Sequence, residues 1–119
     1  MHTNFSKINI LMNNRLEILR QFVEEEPQDP FNHYALAIEL LKSDKNESRQ
    51  IFEYLLKNHA DYLATYYHLG ALYVELGEQQ LAEKIYILGL DLARKIGNEK
   101  TFKELKGAYQ MLLDEMEDF

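Results

Sequence analysis

The chain has 119 residues, and its 20 aspartates and glutamates outnumber its 13 lysines and arginines, for a formal net charge of −7. Because an acidic surface repels phosphate groups, we expect neither nucleic acid nor anionic membrane as a partner. The lack of cysteine excludes disulfides, thiolate metal sites and a thiol nucleophile, while 46% hydrophobic and 28% charged residues indicate one soluble globular domain.

Hydrophobic periodicity predicts an all-α chain of amphipathic helices separated by short breaks. The predicted helices cover, in chain order, about 13–26, 30–42, 46–58, 62–76, 78–96 and 99–117. Residues 1–12 precede them, and the sequence leaves open whether this N-terminal segment is ordered. The first helix carries one apolar stripe, formed by Leu16, Leu19, Phe22 and Val23.

The second and third helices have recognisable N-terminal signals. Asp29 is a good N-cap, and Pro30 suits the first helical position because its missing N–H has no partner there in any case. Asp44 with Glu47 has the spacing of a capping box, in which two side chains satisfy each other's backbone N–H groups.

The last three helices are delimited by residues that favour helix ends. Gly77 and Gly97 are natural left-handed residues just beyond the fourth and fifth helices, and Asn98 can cap the sixth. Connections this short predict antiparallel hairpins, one from helices two and three and one from helices four and five.

The two predicted hairpins are alike in sequence, with an offset of 33 residues before the turn and 34 after it. The aligned pairs are Leu36 with Leu69, Ala37 with Gly70, Leu40 with Tyr73, and Phe52 with Tyr86. A period of this length is typical of helical solenoids.

The second hairpin resembles a tetratricopeptide repeat. That family's pattern is an aromatic residue, Leu-Gly and Tyr in the first helix, then Ala and an aromatic residue in the second. The matching residues are Tyr66, Leu69, Gly70, Tyr73, Ala82 and Tyr86. The first hairpin departs from the pattern at His33, Ala37, Leu40 and Ser48.

The resemblance implies an α–α superhelix, here a short helical-hairpin solenoid with a C-terminal capping helix. It divides residues 13–119 into a half repeat (13–29), a first repeat (30–62), a second repeat (63–96) and a cap (98–117). Pro27, the proline that ends a family repeat, marks the end of the half repeat.

The resemblance also accounts for Gly70 in the middle of a helix, where a glycine costs about 1 kcal/mol relative to alanine. Gly70 and Ala82 are expected to let the two helices approach closely, with Tyr66, Leu69 and Tyr73 packing on Leu81, Ile85 and Tyr86. Gly89 and Gly107 are expected to do the same between the fifth and sixth helices.

The first helix of each hairpin carries a second apolar stripe with helical spacing. These residues are Phe31, Tyr34, Ile38 and Leu41 in one hairpin and Ala64, Tyr67, Ala71 and Val74 in the other. By the resemblance, they line a concave groove that binds a peptide or a partner helix, with His68, Lys42 and Glu75 at its polar margin.

Three alternatives to an open peptide groove remain. In the first, residues 5–12 of the chain itself fill the groove. In the second, the sixth helix fills it, and in the third it is buried between the two copies of a homodimer. The residues at the family's chaperone-tail positions, Tyr34, Ile38, Tyr67 and His68, cannot form a cationic clamp, so no C-terminal carboxylate clamp is expected.

Nothing in the sequence indicates an enzyme, a cofactor or a metal site. No histidine pair has helical ligand spacing, and His59 with Asp61 is better explained as a surface histidine and a capping aspartate. Lys100, Lys103 and Lys106 alternate with acids on a solvated face. The absence of an apolar leader or membrane-length run predicts a cytoplasmic protein.

Overall fold

The computed structural model describes the backbone of residues 4–117 and the side chains of residues 14–117. It contains six α-helices and, within residues 4–117, no strand. They are α1 (Asn4–Glu25), α2 (Pro30–Leu40), α3 (Lys45–Asn58), α4 (Ala64–Glu75), α5 (Gln79–Ile96) and α6 (Glu99–Glu117). None of the helices in this range is long and apolar enough to cross a bilayer.

Helix α1 is longer than the sequence pattern predicts, because it begins at Asn4 and not near residue 13. The predicted boundary between residues 1–12 and the repeat domain therefore falls inside a helix, while residues 1–3 lie outside the described part. Of the predicted stripe of α1, Leu16, Leu19 and Val23 are half-buried, whereas Phe22 is 48% exposed.

The N-terminal signals of α2 and α3 act largely as predicted. Asp29 accepts a hydrogen bond from the Phe31 N–H at 3.0 Å, with Pro30 in the first turn. Asp44 accepts one from the Glu47 N–H at 3.0 Å. The reciprocal half of the capping box is absent from this pair, because the Glu47 carboxylate binds Arg20 instead.

The ends of α4 and α5 and the start of α6 confirm their predicted signals. Gly77 and Gly97 have φ values of 79° and 76°, which a side chain would strain. After α4, the Glu78 N–H donates to the Tyr73 carbonyl at 2.8 Å, which closes a Schellman motif. Asn98 then accepts a hydrogen bond from the Thr101 N–H at 3.0 Å and caps α6.

The chain forms two compact units, one up to Phe52 and one from Glu53 onward. In the first unit α1 packs on α2, and the α2–α3 contact is closed by Ser48, which is fully buried. The Ser48 hydroxyl donates to the Ala37 carbonyl at 2.7 Å. This hairpin therefore brings its helices together with a hydrogen bond at the two positions where the family pattern has glycine and alanine.

In the second unit, α5 packs on both α4 and α6. Gly70 makes room for an aromatic ring: a Cβ atom added there would lie 2.3 Å from Cε1 of Tyr86. Tyr86 is 3% exposed and Ala82 is fully buried, so the predicted close approach at Gly70 is present. The Tyr66 and Tyr73 hydroxyls donate to the Ala60 carbonyl and the Glu53 carboxylate.

Of the two other glycines predicted to allow close helix contacts, one does so and one does not. A Cβ atom on Gly89 would lie 2.6 Å from Cβ of Tyr66 in α4 and 3.1 Å from Cδ1 of Leu105 in α6, so Gly89 serves both contacts. Gly107 has no neighbour within 4 Å of such an atom, so its predicted role is wrong. Leu81 is also not a core residue, because 38% of its surface is exposed.

The ion pair between Arg20 and Glu47 makes stability depend on pH. Arg20 Nη1 and Nη2 lie 2.6 and 2.8 Å from the two Glu47 oxygens, and these hydrogen bonds lower the Glu47 pKa below 4.5. The pair's contribution is present above the unfolded pKa and is lost as pH falls through the lowered folded pKa. We therefore expect the urea midpoint of the wild type to fall more steeply below pH 4.5 than that of Glu47→Gln. Parallel pH profiles would contradict this prediction.

Candidate functional site

The outer stripe of α4 faces an open cavity of about 210 Å³ in the second unit. Three of the residues that line it, Tyr67, Ala71 and Val74, are residues of the predicted groove. The rest of the lining comes from α5 and α6, namely Tyr86, Ala108, Met111, Leu112 and Glu115. In this unit the stripe is therefore one wall of a cavity, and α6 supplies the opposite wall.

The cavity is apolar but accessible. On the α4 side, Tyr67 is 36% exposed, and on the α6 side Met111 is 68% exposed. Leu112 is buried in the core. Because a methionine side chain is unbranched and flexible, Met111 can adjust to different apolar side chains in this cavity.

Tyr86 also lines this cavity, although only 3% of its surface is exposed. Burial raises its pKa to about 12, and the nearby Glu115 carboxylate acts in the same direction. The phenol is therefore neutral at physiological pH and can donate or accept a hydrogen bond. Among the described residues that line the cavity, Glu115 is the only acidic one.

Two predicted groove residues of α4 do not line this cavity. Ala64 is half-buried in the first turn of α4. The His68 ring lies edge-on to the Tyr67 ring, with 5.4 Å between centroids, and burial lowers its pKa. His68 is thus a neutral side chain that packs on Tyr67 at neutral pH.

The first unit holds the other predicted groove residues. Phe31 is 57% exposed, and its ring centroid lies 6.3 Å from that of Tyr34. Tyr34 in turn packs edge-on against the buried Phe52 at 6.4 Å, and burial raises its pKa. Ile38 and Leu41 are half-buried. This stripe therefore combines one exposed ring with three partly covered side chains.

The sequence reasoning missed the wall that α6 contributes. Ala108, Met111, Leu112 and Glu115 are spaced i, i+3, i+4 and i+7, which places them on one helical face. That spacing was readable from the sequence. The sixth helix was expected to cap the repeats or to fill the groove, and not to form one of its walls.

His33 and His59 contact neighbouring backbone and aromatic groups. His33 Nε2 lies 2.7 Å from the Pro27 carbonyl oxygen, and the His59 ring packs near the Tyr54 ring, with 6.2 Å between centroids. Among the described side chains, 14–117, no group of three or more His, Asp or Glu residues is arranged to hold a metal ion.

Comparison with known proteins gives a clear structural likeness. No protein-family model and no curated protein match the chain. A crystal structure of a tetratricopeptide repeat domain protein from Salinibacter ruber shares 41% identity, covers 71% of this chain and 96% of its own, and superimposes with a TM-score of 0.68. A solution NMR structure of a tetratricopeptide repeat domain protein from the same organism shares 41% identity, covers 72% and 88%, and has a TM-score of 0.69.

A more distant structure has the same fold. The crystal structure of MamA is 21% identical, covers 94% of this chain and 64% of its own length, and has a TM-score of 0.63. Together with six helices and no strand in residues 4–117, these likenesses confirm the predicted all-α helical-repeat fold. At 41% identity over nearly the whole of the Salinibacter domain, the chain belongs to the tetratricopeptide repeat family.

Proposed function

We propose that this protein is a non-catalytic interaction module that binds a peptide or a partner helix in an apolar groove lined by the outer stripe of α4. Membership of the tetratricopeptide repeat family supports protein binding in general. The observation that carries the finer proposal is the open cavity between α4 and α6, on which Tyr67, Ala71 and Val74 converge.

The size and chemistry of this cavity suit one anchoring side chain. At about 210 Å³ it is smaller than the pockets that hold drug-sized molecules, but it can receive a leucine, methionine or phenylalanine side chain. Burying such a side chain contributes about 1.5–3 kcal/mol. The Glu115 carboxylate in its lining can accept a hydrogen bond from a backbone amide of the bound segment.

Filling the cavity tests this proposal. Ala71 is exposed, so Ala71→Trp places an indole over the cavity without entering the core. We expect proteins captured from lysate by the wild type to be lost with Ala71→Trp and with Tyr34→Ala/Tyr67→Ala. Quantitative mass spectrometry of the captured proteins is the measurement.

The matched control is Gln80→Trp, which adds the same indole to an exposed position of α5. Circular dichroism melts confirm that each variant is folded. Partners that are retained by the control and lost from both groove variants support the proposal. An identical set of partners for the wild type and Ala71→Trp would show that the cavity is not the binding site.

One observation favours a second candidate, a homo-oligomer that buries helix faces between copies. Leu81, Ile87 and Leu88 of α5 are 38%, 42% and 42% exposed, which is apolar surface that a second copy could cover. Sedimentation velocity over a wide concentration range distinguishes the two. A monomer at every concentration removes this candidate.

A further inference from the structure

The junction between α1 and α2 exposes two aromatic rings beside carboxylates. Phe22 is 48% exposed and Phe31 57%, although both are large and apolar. With Glu25, Glu26 and Asn32 they line a second open cavity, of about 200 Å³, which we call the junction cavity. It lies wholly in the first unit and shares no lining residue with the cavity between α4 and α6.

The backbone around the junction cavity is held by specific hydrogen bonds. Asn32 Nδ2 lies 3.3 Å from the Phe22 carbonyl oxygen and 3.2 Å from the Glu26 carbonyl oxygen, so it ties the end of α1 to α2. The N-cap at Asp29 fixes the start of α2 beside it. The two rings are therefore presented on a fixed frame and do not belong to a loose chain end.

The electric field at this junction favours a cation. Three glutamates, Glu24–Glu26, stand at the C-terminal end of α1, where the helix dipole favours positive charge, and the last turn has no basic residue. The α1 arginines with described side chains are engaged elsewhere. Arg15 pairs with Glu39 at 3.0 Å, and Arg20 pairs with Glu47.

The junction between α5 and α6 offers a comparison, because an aromatic ring there is paired with an arginine of the same chain. Between α5 and α6, the Arg94 guanidinium lies over the Phe102 ring, 5.2 Å from the ring centroid. Arg94 stands four residues before the capping residue Asn98. Four residues before its own capping residue Asp29, the α1–α2 junction has Glu25, and four residues after it stands His33 where α6 has Phe102. One junction thus pairs its ring with its own arginine, whereas the other presents rings with carboxylates.

We propose that the junction cavity binds an arginine side chain presented by a basic segment of a partner protein. The guanidinium stacks on the Phe22 or Phe31 ring while the Glu26 carboxylate and Oε2 of Glu25 accept its hydrogen bonds. Oε1 of Glu25 already accepts a hydrogen bond from Gln21 Nε2 at 2.9 Å. The methylene stem of the arginine covers apolar ring surface that is otherwise exposed to water. This site supplies charge selectivity, and it is independent of the apolar cavity between α4 and α6.

The test uses short synthetic peptides that are identical except for one central residue, which is arginine, lysine, glutamine or glutamate. Binding is followed by ¹⁵N-resolved NMR titration of the full chain at low salt. We expect the arginine peptide to bind most tightly, to shift amide signals around Phe22, Asn32 and Phe31, and to weaken as salt is raised. Equal affinity for the arginine and glutamine peptides would overturn the proposal.

A charge-matched pair of variants separates a specific site from general attraction to an acidic protein. Glu25→Gln/Glu26→Gln should weaken the arginine peptide about ten-fold or more, whereas Glu104→Gln/Glu117→Gln changes net charge equally and should leave affinity within about two-fold. Phe31→Leu keeps apolar volume without a π face and should also weaken binding. Equal losses in both glutamine pairs would contradict the proposal.

Two further outcomes connect the two proposed sites. Glu25→Lys/Glu26→Lys should reverse the preference toward the glutamate peptide, and failure to do so would count against the site. Ala71→Trp should leave the arginine peptide's affinity unchanged, because its cavity is separate. If Ala71→Trp abolishes this binding, the peptide occupies the α4–α6 cavity and the junction proposal fails while the proposed function stands.

Discussion

Replacing Gly70 by leucine is expected to lower the free energy of unfolding by about 3 kcal/mol or more, because it overpacks the core. The first atom of any new side chain would lie 2.3 Å from the Tyr86 ring, well inside van der Waals contact, and leucine adds three more carbons. Tyr86 is buried, so relief requires moving a large ring out of the core. Urea denaturation followed by circular dichroism gives the change in stability.

The control for Gly70 is Gly107, a second glycine within a helix. A Cβ atom there has no neighbour within 4 Å, so Gly107→Leu should raise stability by up to about 1 kcal/mol through helix propensity alone. Combining Gly70→Leu with Tyr86→Ala should recover part of the loss, because the ring that obstructs the new side chain is gone. Equal effects at the two glycines would show that Gly70 does not mediate a close contact.

Leu105→Ala is expected to cost about 2–5 kcal/mol, because it empties a fully buried site. Leu105 comes from α6 and lies beside Gly89 of α5, where it would be 3.1 Å from an added Cβ atom. A loss of this size would mean that α6 belongs to the cooperative core of the second unit. Chemical denaturation with two probes should show one shared transition that moves to lower urea.

Met111 provides the comparison on the same helix. It is 68% exposed, so Met111→Ala should change stability by less than about 0.5 kcal/mol. A Leu105→Ala effect as small as that of Met111→Ala would mean that α6 is a detachable cover. In that case the cavity between α4 and α6 would lack a stable wall.

The helices were predictable because local chemistry determines where they end. Any helix end leaves backbone groups unpaired, and capping residues satisfy them. Here these residues are Asp29 before Pro30, the two left-handed glycines and Asn98. The fold class followed from the repeat of these signals with the Tyr66–Gly70–Tyr86 pattern. The extension of α1 to Asn4 was not predicted, although Phe5, Ile8 and Met12 continue the helical spacing of Leu16 and Leu19.

Which apolar residues are covered could not be decided by periodicity. Phe22 and Leu81 have the spacing of core residues, yet 48% and 38% of their surfaces are exposed, because exposure depends on what the neighbouring element brings. Gly107 shows the same limit, since a small residue matters only where a second helix approaches. The sequence predicted the stripe of α4 that lines the cavity. It did not predict the opposite face on α6, because that face meets the stripe only through the packing of α4, α5 and α6.

The hydroxyl of Ser48 has a consequence for engineering by family averaging. Consensus substitution would replace Ala37 and Ser48 with glycine and alanine, a change that usually raises thermal tolerance in repeat proteins. Here it would delete the 2.7 Å bond to the Ala37 carbonyl and loosen a helix with glycine, for a combined cost of about 1–2 kcal/mol. A redesign of this domain should therefore use consensus residues in the second repeat and keep Ala37 and Ser48 in the first.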